Sequence, residues 1–153
     1  TGEIIWPILP RDILGVGEDT TTGVDEYTLR LDLRLRHMRM VDALAAADVD
    51  ALLAELDPGS AAAVRDYVHD TDALVELVGL DGQRAYYEAF FARYEMVSVE
   101  LLHRVTQPWF LFAETRLTVR ERSSDGTRAF HVAEILAPGK SGIWPKRYRN
   151  LRA

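Results

Sequence analysis

The chain has 153 residues, of which 48% are hydrophobic and 27% are charged, a composition typical of one soluble globular domain. Acidic residues outnumber basic ones by 24 to 18, and the resulting formal charge of −6 argues against a nucleic-acid-binding protein, which needs a basic face to meet phosphates. The absence of cysteine excludes disulfides, thiolate metal sites and a cysteine nucleophile, and it fits a cytoplasmic location. No apolar run approaches the roughly 18 residues that span a bilayer, and the first residues lack the order of a signal peptide.

The chain divides into three parts of unequal length. Residues 1–23 hold two prolines and the loop-forming stretch GVGEDTTTG, which predict an irregular N-terminal arm anchored to the body by Ile4, Ile5 and Trp6. Residues 24–148 form the single predicted domain, and residues 149–153 form a tail.

Helices are predicted in the first part of this domain. TLRLDLRLR alternates like a strand, but the residues of 24–47 also carry an apolar stripe at helical spacing and run into good helix formers, so we expect one long helix. The stripe consists of Tyr27, Leu31, Leu35, Met38, Val41 and Ala45. Asp48 is a predicted N-cap for a short helix that Asp57-Pro58-Gly59 stops. A third helix, QRAYYEAFFARY, carries a stripe of aromatic residues.

Strands dominate the second half. Period-two patterns predict strands over 96–105, 109–122 and 128–137, with Ser123-Ser124-Asp125-Gly126 as a hairpin turn. Residues 61–70 predict a short strand, residues 71–79 stay open, and 143–148 predict a last edge strand interrupted by Pro145. The fold class is therefore α+β, with helices covering one face of a mostly antiparallel sheet.

The strand AFHVAEIL carries an imidazole and a carboxylate among apolar residues. Because successive strand side chains point to opposite faces, Glu134 shares a face with Phe130 and Val132, and His131 lies on the other face. Both faces are mostly apolar, so we expect helices on one side and a second copy of the chain on the other. An alternative is that Glu134 is structural and pairs with Arg116 or Arg128.

The order of these elements resembles the SnoaL-like and ketosteroid-isomerase-like families of the nuclear transport factor 2-like superfamily. The resemblance covers roughly residues 35–145 and is carried by ALAAADVDALLAEL, AVRDYV, the aromatic helix and AFHVAEILAPGKSGI. It implies a curved mixed sheet wrapped around about three helices, which forms a cone with an internal pocket. The superfamily includes isomerases, dehydratases, polyketide cyclases, epoxide hydrolases and non-catalytic binding domains, so the fold alone does not assign a reaction.

The resemblance also implies roles for two acidic residues. Asp66 takes the place of the carboxylate that shuttles a proton, and Glu134, inside the cone, takes the place of a protonated acid that hydrogen-bonds a developing oxyanion. The third group of the isomerase pattern is a tyrosine, and here Met40 occupies its position. The His-Trp-Asp run of the cyclase pattern is also missing, since GIWPKRYRN keeps the tryptophan only.

Further candidates come from the pattern of the strands and the aromatic helix. His103 alternates with Leu101 and Val105, so it is predicted to face the interior, either as a satisfied core histidine or as an assisting acid. His37 lies among arginines and is predicted to be exposed. The predicted pocket lining consists of Tyr67, Tyr87, Phe91, Trp109, Phe130 and Val132, although aromatic stripes also form ordinary cores.

These residues predict a cofactor-independent and metal-free lyase, isomerase or cyclase acting on a mainly apolar, carbonyl-bearing compound of polyketide, terpenoid or steroid type. Asp66 would be the base and Glu134 the hydrogen-bond donor. The expected partners are a small apolar ligand and a second copy of the chain through the outer sheet face, with no nucleic acid and no membrane. The alternative is a non-catalytic ligand-binding or dimerisation module of the same fold.

Overall fold

A computed structural model describes residues 26–59, 61–66, 74–124, 126–139 and 141–149 of the chain, with the backbone alone for 61–66, 74–76, 144 and 146–149. The predicted arm and the tail beyond residue 149 lie outside the described residues. The described residues form three helices and six strands: α1 (Glu26–Ala45), α2 (Val49–Ala54), β1 (Ala61–Asp66), β2 (Leu74–Val78), α3 (Gly79–Arg93), β3 (Tyr94–Thr106), β4 (Leu111–Glu121), β5 (Thr127–Pro138) and β6 (Ile143–Arg149).

The six strands form one mixed sheet in the order β2-β1-β6-β5-β4-β3. Only β1 and β6 run parallel, while the other neighbours are antiparallel. This arrangement confirms the predicted α+β class with a curved, mostly antiparallel sheet and three helices.

The long helix is confirmed, but the predicted apolar stripe is not its buried side. Leu33, His37, Met40 and Ala43 are buried, whereas Tyr27, Leu31, Leu35 and Met38 are exposed. Both sets recur every three or four residues, so periodicity alone does not tell which side of α1 meets the sheet.

The junction between α1 and α2 depends on local hydrogen bonds. The Asp48 carboxylate accepts a hydrogen bond from the Ala51 N–H at 3.0 Å, which confirms Asp48 as the N-cap of α2. Arg39 of α1 donates to Glu55, the residue after α2, at 2.9 Å, and this bond is the main cause that raises the pKa of Arg39. This hydrogen bond links α1 to the end of α2.

Strand β3 contains two register shifts, between Met96 and Ser98 and between Leu101 and His103. Each shift is a β-bulge, which adds a residue to one strand and reverses the face on which later side chains lie. The sequence predicted that His103 faces the interior, but the second shift places it on the outer face of the sheet.

The last strand does not lie at an edge, as the sequence predicted, but inside the sheet between β1 and β5. Pro145 pairs with Leu136 of β5, while pairing with β1 begins only at Lys146. A proline that lacks an N–H is therefore accommodated because no second neighbour pairs with it.

A glycine makes the start of β6 possible. Ile143 forms a bridge with Leu56, and a Cβ atom on Gly142 would lie 2.4 Å from the backbone of Leu56 and Asp57. No other residue fits this close approach of two backbones.

The core lies between the helices and the inner face of the sheet. Strand β4 alternates fully, with Leu111, Ala113, Leu117 and Val119 buried against the helices. A second cluster joins Phe90 of α3, Tyr94 and Phe130. None of the described helices has the length and apolar character that crossing a bilayer requires.

Candidate active site

A small cavity lies between the helices and the centre of the sheet. It is lined by Met40, Val41, Leu44, Leu52, Tyr86, Tyr87, Phe90, Thr115, Leu117, Val132 and Glu134. The volume of the cavity open to the centres of water molecules is about 40 Å³, which corresponds to three or four waters, since one water needs about 10–15 Å³. As it stands, the cavity therefore admits the end of a small molecule and not a whole ring.

Glu134 brings an acidic group to the wall of this cavity. Its position on β5 follows from the period-two alternation, because Phe130, Val132 and Leu136 are buried on the same side of the strand. Glu134 itself is only 8% exposed, which confirms its predicted inward orientation.

The imidazole of His37 lies beside this carboxylate. His37 Nε2 is 3.2 Å from Glu134 Oε1, and the histidine is 0% exposed. The other ring nitrogen, Nδ1, is buried without a hydrogen-bond partner. An imidazole and a carboxyl group in hydrogen-bond contact can share and pass one proton, which gives the cavity wall an acid–base pair.

His37 was predicted to be exposed, and this prediction is wrong. The arginines beside it along the chain suggested a solvated surface, but Leu33 and Met40, one turn away on either side, are both buried. The spacing of Leu33, His37 and Met40 is the signal that could have identified a buried histidine.

Hydroxyl groups supply further polarity at the cavity. Thr115 is 3% exposed and faces the cavity from β4, and Tyr86 and Tyr87 approach from α3. Met40 belongs to the cavity lining, and its thioether contributes no hydroxyl donor. Among the described lining residues, Thr115, Tyr86 and Tyr87 carry the hydroxyl groups that can donate to a substrate oxygen.

Only some of the residues predicted to line the pocket lie at the cavity. Tyr87 and Val132 line it together with Glu134. Phe91 stacks on Tyr87, with ring centroids 6.2 Å apart, and Phe130 is buried against Tyr94; neither belongs to the lining. Trp109 lies in the β3–β4 connection against Phe110 and does not belong to the cavity lining.

The structure also corrects the position of His103. The bulge after Leu101 pairs His103 with Glu114 on the outer face of the sheet, where His103 is exposed. Without the bulge His103 would have followed Leu101 onto the inner face. His103 is therefore separated from the cavity by the sheet.

The backbone of Asp66 lies in the same cross-strand row as cavity residues. Asp66 pairs with Arg149, which pairs with Val132, and Val132 pairs with Thr115. Two strand spacings separate the Cα atoms of Asp66 and Val132, a distance of about 10 Å. The side chain of Asp66 and the whole of Tyr67 lie outside the described residues.

The alternative pairing of Glu134 with Arg116 or Arg128 is not observed. Arg116 donates to Glu100 at 3.1 Å on the outer face, and Arg128 lies 3.1 Å from Glu121. The outer face of β4 thus forms cross-strand ion pairs with β3. Among the residues that the structure describes, no cluster of His, Asp and Glu has the arrangement of a metal site.

Comparison with known proteins identifies the fold. No family model matches the chain, and no curated protein matches it. Solved structures do match. A protein from Jannaschia sp. CCS1 that carries the name of a SnoaL-like polyketide cyclase aligns with a TM-score of 0.68 over 84% of this chain and 92% of its own, at 13% identity.

Two further structures agree with this result. An isomerase by name from Rhodopseudomonas palustris aligns with a TM-score of 0.65 over 75% of this chain and 89% of its own, at 8% identity. A protein with a ketosteroid isomerase-like fold from Catenulispora acidiphila, in complex with trimethylamine, gives 0.61 over 74% and 82%, at 12% identity. The chain has the fold of the ketosteroid isomerase-like and SnoaL-like proteins, the nuclear transport factor 2-like cone. The predicted resemblance is thereby confirmed at the level of fold.

Proposed function

We propose that this chain is a cofactor-independent enzyme that moves a proton on a mainly apolar, carbonyl-bearing compound, in a lyase, isomerase or cyclase reaction. The observation that carries the proposal is the buried contact of 3.2 Å between His37 and Glu134 at the wall of an apolar cavity. A carboxyl group that is buried beside an apolar cavity usually has a hydrogen-bond partner, because burial without one costs free energy.

The chemistry begins with the carbon next to the substrate carbonyl. In this proposal Glu134 is the base, instead of the hydrogen-bond donor that the resemblance implied. As a carboxylate it takes a proton from this carbon, and the electron pair of the C–H bond moves toward the carbonyl oxygen to give an enolate. His37 holds Glu134 in place and stabilises its charged form through the hydrogen bond. Return of the proton from Glu134 to another carbon gives isomerisation. In dehydration, a hydroxyl group on the next carbon takes this proton and leaves as water, while the electrons of the enolate form the new carbon–carbon double bond.

The enolate oxygen needs a hydrogen-bond donor in the cavity. Thr115 suits this role because its hydroxyl lies on β4 directly beside Val132 of β5 and belongs to the lining. Asp66 is the candidate for a second acid or base, since its backbone lies about 10 Å from Val132, within reach of a substrate that spans the cavity mouth. His103 has no part in the proposal because it lies on the outer face of the sheet.

The size of the cavity limits the size of the substrates that we expect to react. A volume of about 40 Å³ holds the carbonyl end of a molecule, so a larger polyketide, terpenoid or steroid skeleton would have to displace flexible side chains such as Met40. The enzyme is therefore expected to process small apolar ketones faster than fused-ring ones.

The proposal is tested by exchange of carbon-bound protons. The protein is incubated in D₂O with small acyclic ketones such as butanone, and deuterium incorporation beside the carbonyl is followed by NMR. The Glu134→Gln variant should lose at least about a hundredfold in rate, since general acid–base catalysis contributes about 10²–10⁴-fold. Glu114→Gln, which changes a carboxylate on the outer face of the neighbouring strand, is the matched control and should retain the rate.

An equal rate for wild type and Glu134→Gln, or no exchange above the solvent background, would remove the enzyme proposal. The alternative, a non-catalytic ligand-binding module, is supported by the presence of Met40, which has no hydroxyl donor, in the cavity lining; the resemblance implies a tyrosine at this position in the isomerases. In that case the ketones should bind without exchange, and Glu134→Gln should leave their affinity nearly unchanged.

A further inference from the structure

A buried amide lies on the side of α3 that carries the cavity residues. Gln83 is 0% exposed, and among the described residues neither its Nε2 nor its Oε1 atom has a hydrogen-bond partner. Buried polar groups almost always have partners, because a buried group without one lowers the stability of the fold. The presence of this amide in the interior therefore needs an explanation.

The helix fixes the direction of Gln83. Tyr86 and Tyr87 follow it at the spacing of one helical turn, so the three side chains lie on one side of α3 together with Phe90. Tyr86, Tyr87 and Phe90 all line the cavity. Because helical side chains lean toward the N-terminal end of their helix, the two tyrosines lean over the turn that contains Gln83. Gln83 thus extends the row of cavity residues by one turn, just behind the cavity wall.

Tyr86 joins the cavity to the surroundings of Gln83. It lines the cavity, and it also packs against Leu77 of β2. Gly82, next to Gln83, faces the same leucine, since a Cβ atom there would lie 3.5 Å from the Leu77 backbone. Tyr86 is half-buried, whereas Tyr87 is only 5% exposed. A turn of the Tyr86 side chain is therefore the smallest change that opens a path from the cavity to the amide.

The chemistry of the amide defines the group that it can bind. An amide has two N–H donors and one carbonyl acceptor, and it carries no charge. A hydroxyl group suits it, because a hydroxyl can accept from Nε2 or donate to Oε1 and so finds a partner whichever way the amide is turned. Since Tyr87 and Glu134 line the same small cavity, this hydroxyl and a carbonyl group beside Glu134 can belong to one small molecule.

We propose that Gln83 is a specificity-determining residue that binds a hydroxyl group of the ligand, and that the substrate is a hydroxyketone. The inference rests on the proposed function for the carbonyl group and adds a second oxygen to the molecule. The hydroxyl supplies the partner that the amide lacks among the described residues. The amide thus serves binding at the expense of stability, as groups in functional sites often do.

Binding of matched ligands to the full chain tests the proposal. Butanone, pentanone and hexanone are compared with the same ketones carrying a terminal hydroxyl group, and dissociation constants are measured by NMR titration. A hydroxyketone should bind about tenfold more tightly than its parent ketone, because the buried amide gives up no hydrogen bond to water when it binds the hydroxyl. Gln83→Leu should reduce this preference to about twofold or less, whereas Gln107→Leu, in the β3–β4 connection, should retain it.

The stability of Gln83→Leu separates this role from a structural one. Replacing an unpaired buried amide by an apolar side chain of similar size should lower the equilibrium constant of unfolding by about fivefold or more, measured by urea denaturation. A higher unfolding constant, or a variant that does not fold, would mean that the protein itself satisfies the amide and would overturn the proposal. A wild type that binds both kinds of ligand equally, or neither, would overturn it as well.

Deuterium exchange by the wild type is measured separately from binding. Exchange without a preference for the hydroxyl group overturns the role of Gln83 and leaves the proposed function in place. A preference that depends on Gln83, without exchange, supports the hydroxyl site and removes the enzyme proposal.

Discussion

Ala47 holds a left-handed backbone conformation, with φ at 53°, between α1 and α2. The N–H of Asp48 donates to Ala43 O at 2.9 Å and the N–H of Ala47 donates to Leu44 O at 3.1 Å, which is the hydrogen-bond pattern of a Schellman motif. Glycine normally occupies this position because a Cβ atom disfavours the left-handed region. Here the helix end is maintained at the expense of local strain.

The strain at Ala47 predicts a stabilising substitution. Ala47→Gly should increase the free energy of unfolding by about 0.5–1 kcal/mol, since relief of about 1–2 kcal/mol of strain exceeds the added flexibility of the unfolded chain. Urea denaturation measures the change. Ala46→Gly, one residue earlier and hydrogen-bonded to Asp42 in the last turn, should have the opposite sign. Equal signs for the two variants would contradict the explanation.

His37 and Glu134 belong to opposite ends of the chain, 97 residues apart. Period-two alternation along AFHVAEIL was sufficient to predict that Glu134 shares a face with Phe130 and Val132, because the side-chain direction along a strand is local. That this face is the inner one was implied by the family resemblance. No local signal predicted the partner of Glu134, since the contact depends on which side of α1 packs against β5.

At the scale of the elements, α1 decides the size of the cavity. Met40 is 4% exposed and belongs to the cavity lining, where its side chain fills space beside Glu134. Methionine is flexible and adapts to gaps, so this position can both restrict the cavity and yield to a ligand.

Shortening Met40 should therefore change the ligands that bind. Met40→Ala is expected to lower the free energy of unfolding by about 2–5 kcal/mol, because it deletes buried methylene groups, and to create an apolar cavity large enough for benzene. Binding of benzene is measured by the shift it causes in the melting temperature. Met38→Ala, on the opposite side of the same helix, should gain no benzene binding; a gain there would show that the ligand binds elsewhere.

Strand β3 shows how one irregularity changes the chemistry that an element presents. The bulge between Leu101 and His103 moves the imidazole from the inner to the outer face, opposite Glu114. A bulge has no reliable pattern of its own, so alternation over LLHRV predicted the wrong face. The same alternation was accurate for β4 and β5, which pair without a shift of register over their whole length.

At the scale of the whole molecule, Glu121 joins the end of α3 to the β4–β5 hairpin. Its carboxylate accepts a hydrogen bond from Arg93 at 3.1 Å and lies 3.1 Å from Arg128, and Ser124 donates to it at 3.3 Å. The bond from Arg93 is the main cause that lowers the pKa of Glu121, and the nearby charge of Arg128 acts in the same direction. The ionised form is thus favoured in the folded protein.

This lowered pKa predicts a contribution to stability that depends on pH. Because the folded-state pKa lies below that of the unfolded chain, the contribution is present above about pH 4.3, the ordinary value for glutamate, and is lost as the pH falls below it. Glu121→Gln should therefore reduce the difference in unfolding free energy between pH 7 and pH 3. Denaturation at both pH values measures it, and Arg93→Gln should reduce the difference as well. An unchanged difference in both variants would rule out this ion pair as a source of acid sensitivity.

The sequence by itself predicted α1, the Asp48 cap of α2, the third helix and the three long strands, although it left β2 open and placed the start of the third helix at Gln83 instead of Gly79. These features depend on neighbours within a few residues, so propensity, capping and period are sufficient. The tertiary structure alone decided that Leu33, His37 and Met40 are the buried side of α1, that β6 lies inside the sheet, and that His103 faces outward. Each of these outcomes depends on pairing or packing between residues far apart in the chain, where two arrangements satisfy the local pattern equally well and only the best-packed core separates them.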